Sequence, residues 1–201
     1  MSQCRVQVSA GAILLSAIVF YIGDPASVTA VLLAIIAHET GHILVMALLG
    51  LPIRGLRLEL RGFCIEYEGT TGAVGHALVA AAGPAAGLLY ALIASELGSR
   101  LAFDWLYLSA GTSLLLSLFN LLPALPLDGG RILLSISCAL LGERRSRTVT
   151  ERMGLLIGMA ILFLGIYLAI KGLGAAILIA AIWLLLYQES GLGIVKLREM
   201  I

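Results

Sequence analysis

Charged side chains are scarce in this sequence: they make up 12% of 201 residues, where a soluble domain carries about 25%. With 60% of the chain hydrophobic, this excludes an ordinary water-soluble fold and leaves the lipid bilayer as the medium of folding. A net charge of only +1 excludes the basic footprint of a nucleic-acid binder. Cysteine is sparse too. Cys4, Cys64 and Cys138 are odd in number, far apart and without C-x-x-C spacing, which argues against both a disulfide framework and a cysteine zinc site. Internal repeats and low-complexity tracts are lacking. No loop is longer than about 25 residues, which leaves no room for an appended soluble domain of 50 residues or more.

Long apolar runs, in contrast, dominate. They lie at 7–22, 27–49, 75–97, 106–141, 153–170 and 174–188, and about 20 helical residues suffice to cross a hydrocarbon core. The first run follows Arg5 and has about the length of a signal-peptide core, but charge placement favours an anchored helix. Six crossings with both termini in the cytoplasm put ten basic residues inside: Arg5, Arg54, Arg57, Arg61, Arg144, Arg145, Arg147, Arg152, Lys196 and Arg198. Only Arg100 and Lys171 fall in outer loops. The positive-inside rule selects that orientation. Between 53 and 68 the pattern alternates with period two (Leu56, Leu58, Leu60 against Arg57, Glu59, Arg61), the mark of an amphipathic hairpin lying on the membrane. It either seals the bundle or lends a strand edge to an extended substrate. The expected fold class is an all-α polytopic membrane protein of about six transmembrane helices, the fourth broken, with a small membrane-associated β-hairpin. One domain fills 1–201, with a core at about 27–141 and accessory helices at 7–22, 153–170 and 174–188.

The second run contains His38-Glu39-Thr40-Gly41-His42, the pattern H-E-x-x-H. On a helix the two histidines fall at i and i+4, so both rings project from one face and can grip one metal ion. Glu39 is then placed to act on a metal-bound water as general base. Neighbours such as Ile35, Ile36, Leu44 and Val45 belong in lipid, where ionisable residues are costly and signal function. The plainer alternative is a pair of interior histidines hydrogen-bonded to other helices, with Glu39 paired to a cation. Counted from the outer end of its run, His38 lies about 17 Å deep and His42 about 22 Å, at 1.5 Å per residue.

The fourth run is broken at Asn120-Leu121-Leu122-Pro123-Ala124-Leu125-Pro126-Leu127-Asp128-Gly129-Gly130-Arg131. Non-helical backbone at membrane depth is tolerated only where protein or a watery cavity surrounds it. Asn120 lies about 21 Å from the outer end of its own run, the depth reached by the two histidines. Asp128 is the natural third ligand, giving two imidazoles, a carboxylate and an open position for water; otherwise it pairs with Arg131, three residues on. Asn120 can donate its amide to a substrate carbonyl or merely cap the broken backbone. His76, at the cytoplasmic start of the third run, is a less well placed ligand and reads as an interfacial residue. Gly83-Pro84-Ala85-Ala86-Gly87 is a small-residue face for close helix contact. Glu96 and Arg100 read as a solvated i,i+4 pair, and Glu143–Arg152 as a charged cytoplasmic loop.

These two motifs together resemble the site-2 protease family of intramembrane zinc metalloproteases, and the compact form is similar to the sporulation-type branch that processes a membrane-associated pro-sigma factor. The resemblance covers about Ser27 to Leu141. It implies one zinc ion held by His38, His42 and Asp128, Glu39 as catalytic base, and Asn120 as a substrate-contacting residue. The expected activity is hydrolysis of a peptide bond within or near the cytoplasmic leaflet, in a membrane-protein or membrane-associated substrate such as a pro-sigma or anti-sigma factor. The partners implied are that substrate, the lipid bilayer and a regulatory membrane protein, with no nucleic acid; the location is the cell membrane. A non-hydrolytic membrane metal carrier or sensor would use the same ligands. The family's third core helix usually carries Gly-Pro-x-x-Asn, and here Gly87 follows Gly83-Pro84-Ala85-Ala86.

Overall fold

The structure, a computed structural model, describes residues 5–8, 23–59, 62–67, 71–172 and 176–189. Strand β1 (Arg5–Val8) is followed by helix α1 (Pro25–Leu48), strands β2 (Ile53–Glu59) and β3 (Gly62–Tyr67), and helices α2 (Ala73–Leu101), α3 (Asp104–Asn120), α4 (Asp128–Leu141), α5 (Glu143–Ile170) and α6 (Ala176–Glu189). By contacts the chain divides into two compact units. One comprises Met1–Gly69 with Ala82–Leu118, the other Thr70–Ala81 with Phe119–Ile201.

In the first unit, α1 begins where Asp24 caps it. The Ser27 amide donates to Asp24 Oδ1 at 3.0 Å; the Ser27 side chain first, and then its amide, hold that carboxyl below its ordinary value, and Pro25 takes the first turn, where no amide donor is needed. The helix ends before Gly50, whose φ of +69° suits a residue without a Cβ. Its buried stripe is Ala30, Ala34, His38, Gly41, His42 and Met46, while Leu32, Ile36, Leu44 and Leu48 are exposed. Small and polar groups face protein and large apolar groups face outward, the reverse of a soluble helix and the arrangement a lipid solvent selects.

Helix α2 packs on α1 where both lack bulk. A Cβ added at Gly41 would collide with the Ala82 carbonyl and lie 2.6 Å from Ala86 Cβ. Helix α3 meets α2 along Ser109, Ser113 and Ser117, all fully buried and spaced at i, i+4, i+8. Ser113 Oγ donates to the Gly87 carbonyl at 2.9 Å, and Ser109 Oγ shares a 2.6 Å hydrogen bond with Tyr90. Trp105 Nε1 donates to the Ala26 carbonyl at 3.0 Å, tying the start of α3 to that of α1.

The three strands form one sheet in the order β1-β2-β3. β2 and β3 are antiparallel, Leu56 facing Ile65 and Leu58 facing Phe63 in register; β1 runs parallel to β2, with Arg5 opposite Gly55 and Val8 opposite Leu58. The start of the first apolar run is therefore strand rather than membrane helix. Arg5-Val6-Gln7-Val8 alternates with period two, a strand pattern that a reading by run length absorbs into the helix. The rest of that run, 9–22, and residues 60–61 lie outside the described residues.

In the second unit, α5 and α6 pack closely. A Cβ at Gly158 would lie 2.6 Å from Leu185 Cδ2, and one at Gly165 would lie 2.7 Å from Leu178 Cα. Their interface continues into a core of Ala124, Leu127 and Leu184, flanked by Phe119, Leu122, Ile157, Ile161 and Trp183. The expected loop at 143–152 is instead the opening of α5. Glu and Arg are good helix formers, Arg147 pairs with Glu143 at 2.6 Å across one turn, and Ser146 Oγ donates to the Gly142 carbonyl at 3.0 Å. The break from α4 falls at Gly142, φ +78°. Among the described residues, α1, α2 and α5 are long and apolar enough to cross a membrane, and α6 contains a shorter apolar helix.

Candidate metal centre

One turn of α1 brings His38 and His42 together. Both are buried, their ring centroids lie 4.9 Å apart with planes at 78°, and the two Nε2 atoms face each other at 3.2 Å. Two nitrogens bound tetrahedrally to one zinc at 2.0–2.1 Å stand about 3.3–3.4 Å apart. The pair is already set at nearly that spacing.

The rings are held there by a missing side chain. A Cβ at Gly83 of α2 would fall on His42 Nε2, 2.6 Å from His42 Cε1 and 2.8 Å from His38 Nε2. Helix α2 thus forms a wall against the imidazoles that only glycine permits. The neighbouring Pro84 costs the helix one backbone donor and is fully buried.

Asp128 is positioned by a different device. Residues 121–127 leave helical geometry, and the Leu125–Pro126 peptide is cis. The segment is tied by short-range bonds: Leu122 N to Phe119 O at 3.1 Å, Ala124 N to Leu122 O at 2.8 Å, and Leu127 N to Ala124 O at 2.9 Å. It folds back on α4 because Gly129 and Gly130 have no side chains. A Cβ at Gly129 would collide with the Leu121 carbonyl and lie 2.6 Å from Leu122 O, and one at Gly130 would lie 2.6 Å from Leu125 N. Asp128 then opens α4, where the helix dipole favours a carboxylate. Because the obstructing atoms are backbone and cannot rotate aside, Gly129→Ala is expected to cost about 3 kcal/mol, at the upper end for overpacking. Thermal unfolding should read this as a fall in Tm of roughly 6–12 °C for a chain of this size; an unchanged Tm would show that the segment yields.

His38 and His42 on α1 and Asp128 at the start of α4 are each buried, and each offers one atom able to ligate a metal ion. Two imidazoles and one carboxylate are a zinc donor set with a fourth position for water or substrate. Asp128 also meets Arg131, Nη1 to Oδ1 at 3.8 Å with the arginine side chain 44% exposed, beyond hydrogen-bond reach. The alternative pairing is thus loose. His76 sits in the first turn of α2, Asn120 is the last residue of α3, and Glu39 follows His38 on α1, half-buried. Arg100 Nε and Glu96 Oε1 do pair, at 2.8 Å, both exposed. Sequence reasoning took Gly83 only as part of a helix-contact face. Its role as the wall behind the two histidines depends on the approach of α1 and α2, which no spacing reveals.

Comparison with known proteins points in one direction. A family model described as Peptidase family M50 matches residues 98–165, the stretch that contains Asn120 and Asp128. A Synechocystis sp. protein whose name assigns it as a zinc metalloprotease, sll0528, is 35% identical over 176 residues, covering 82% of this chain and 46% of its own. Rip3 of Mycobacterium tuberculosis, named in the same way, is 28% identical over 178 residues, 84% of this chain and 44% of its own. The chain therefore spans just under half the length of the curated relatives it matches. In fold it is similar to the solved site-2 protease from Methanocaldococcus jannaschii, with a TM-score of 0.70 and 21% identity over 92% of this chain and 89% of that one. The relatives that match are named as zinc metalloproteases, and the likeness to the solved structure shows a shared fold. The family to which the chain is similar, over residues 98–165, is peptidase family M50.

Proposed function

We propose that the chain is an intramembrane zinc metalloendopeptidase that hydrolyses a peptide bond of a membrane-associated substrate within or near the cytoplasmic leaflet. The observation that carries this reading is the buried His38–His42 pair of the H-E-x-x-H turn, its Nε2 atoms 3.2 Å apart, with Asp128 as the third ligand. Bound there, zinc would lower the pKa of a water toward neutrality and polarise the scissile carbonyl. Glu39 takes a proton from the attacking water and returns it to the leaving amine, so the carboxyl ends the cycle ionised as it began. Asn120 donates its side-chain amide to a backbone carbonyl of the substrate. Arg131 steadies the Asp128 carboxylate from one turn along α4.

The same reading gives the chain six membrane crossings, the fourth broken at 121–127, with both termini in the cytoplasm and the sheet lying on the cytoplasmic side of the membrane. The whole chain serves as one protease domain, its catalytic core at about 27–141. The substrate class is a pro-sigma or anti-sigma factor, as in the sporulation-type branch, under control of a regulatory membrane protein. The basic residues that the six-crossing arrangement places inside support the orientation, and the resemblance to the compact branch suggests the substrate class.

A helical peptide hides its carbonyls in its own hydrogen bonds, so the substrate must be extended at the bond that is cut. Substrates with Gly or Pro in the membrane segment are expected to be cleaved at least about tenfold faster than stiffly helical versions, since an interior Pro opens a helix by about 3 kcal/mol. Cleavage of matched substrate pairs in liposomes measures this. Equal rates would exclude unwinding as a requirement.

A further inference from the structure

We propose that Gly87 and Ser117 form a size-matched contact that positions α2 against the metal-binding imidazoles, making Ser117 a positioning residue for the site. The inference rests on the zinc reading above and adds a device to it. Ser117 is fully buried, and its hydroxyl oxygen has no hydrogen-bond partner. The other two serines of the α3 stripe behave differently: Ser109 bonds Tyr90 and Ser113 bonds the Gly87 carbonyl. A buried hydroxyl without a partner costs stability, so it is not retained here for the hydrogen bond it makes.

What Ser117 does have is contact. Its Oγ stands where a Cβ of Gly87 would be, with Ser117 Cβ at 3.6 Å and Ser113 Oγ at 3.4 Å from that point. Gly87 lies one turn beyond Gly83 on α2, about 40° around the helix from it, so the two glycines share a face. One receives Ser117 and the other receives His42 and His38. Any group that pushes α2 off Ser117 at position 87 also lifts Gly83 from the rings. The imidazoles would then lose their wall and the fixed orientation that a preset metal pair requires.

The geometry specifies a compensation experiment. Gly87→Ala places a methyl on Ser117 Oγ and is expected to weaken zinc binding about tenfold, the scale of losing a supporting contact around a metal ligand. Gly87→Ala with Ser117→Ala removes the obstructing oxygen and leaves the methyl in ordinary contact with Ser117 Cβ and Ser113 Oγ. It should restore zinc affinity to within about threefold of the unmodified chain. Gly111→Ala, a glycine of α3 with nothing within 4 Å of the added methyl, is the control and should bind zinc as the unmodified chain does. The readouts are zinc affinity by chelator competition, the visible spectrum of the Co²⁺-loaded protein, and helix content by circular dichroism, all on the full chain in detergent. A folded Gly87→Ala protein with unchanged zinc affinity and cobalt spectrum would overturn the proposal. So would a double variant as weak as the single one. If Gly87→Ala does not fold, the double variant decides: folded and zinc-binding supports the contact, unfolded or weak refutes it. An unmodified chain that binds no zinc would overturn the zinc reading itself and this device with it.

Discussion

Replacing Glu39 by Gln is expected to lower cleavage by about 10²–10⁴-fold while leaving zinc in place. Glutamine keeps the size of the side chain and its hydrogen-bonding reach but cannot accept the proton of the attacking water. General acid–base catalysis contributes about 10²–10⁴-fold, and the loss in kcat should fall in that range. The residue is not among the three proposed ligands, so zinc per chain, measured by elemental analysis, should stay at one. The variant also separates the protease from a metal carrier or sensor, for which Glu39 has no function. Retained cleavage would remove Glu39 from the chemistry; loss of both zinc and cleavage would make it a structural or ligand residue instead.

The second large effect is expected at Asp128. Removing a residue that supports a metal ligand costs 10–100-fold in affinity, and removing a ligand should cost more. Asp128→Ala is therefore expected to lower zinc affinity by more than about 100-fold and to lower cleavage with it, while α1 keeps its two histidines. The substitution also frees Arg131 from its 3.8 Å partner. That ion pair is long and its arginine is partly exposed, so its loss should matter little to stability. Chelator competition reads the affinity, and thermal unfolding of the metal-free protein checks that the fold survives. Undiminished zinc binding by Asp128→Ala would make the site a two-histidine site and undo the assignment of the third ligand.

Much of this was legible in the residues because a membrane chain writes its helices as apolar runs. The run at 27–49 became α1 (Pro25–Leu48), and that at 75–97 became α2 (Ala73–Leu101). The Pro- and Gly-rich interruption between Asn120 and Arg131 became the break between α3 and α4, with Asp128 at the start of α4. Glu143–Arg152 misled because charge marks the end of the apolar stretch, not the end of the helix, and Glu–Arg pairing continues the helix into polar surroundings. Gln7 and Val8 misled for the opposite reason: at the head of a long apolar run, the end of a strand looks like part of it. The glycine contacts at 41, 83 and 87 could not be read at all. A small residue announces that something comes close, but only the packed helices say whether it is a carbonyl, an imidazole or a hydroxyl.

The unbroken course of α5 changes what its arginines can touch. Ten residues precede the apolar part that begins at Met153, so an upright helix carries its first turn about 15 Å past the hydrocarbon edge. The headgroup layer on one side is only about 5–8 Å thick. In the proposed arrangement Arg152 would stand among lipid phosphates, while Arg144 and Arg145 would reach open water, where dissolved ions screen them within about 8–10 Å. Of the basic residues on this segment, Arg152 is the one whose grip on the membrane should survive physiological salt.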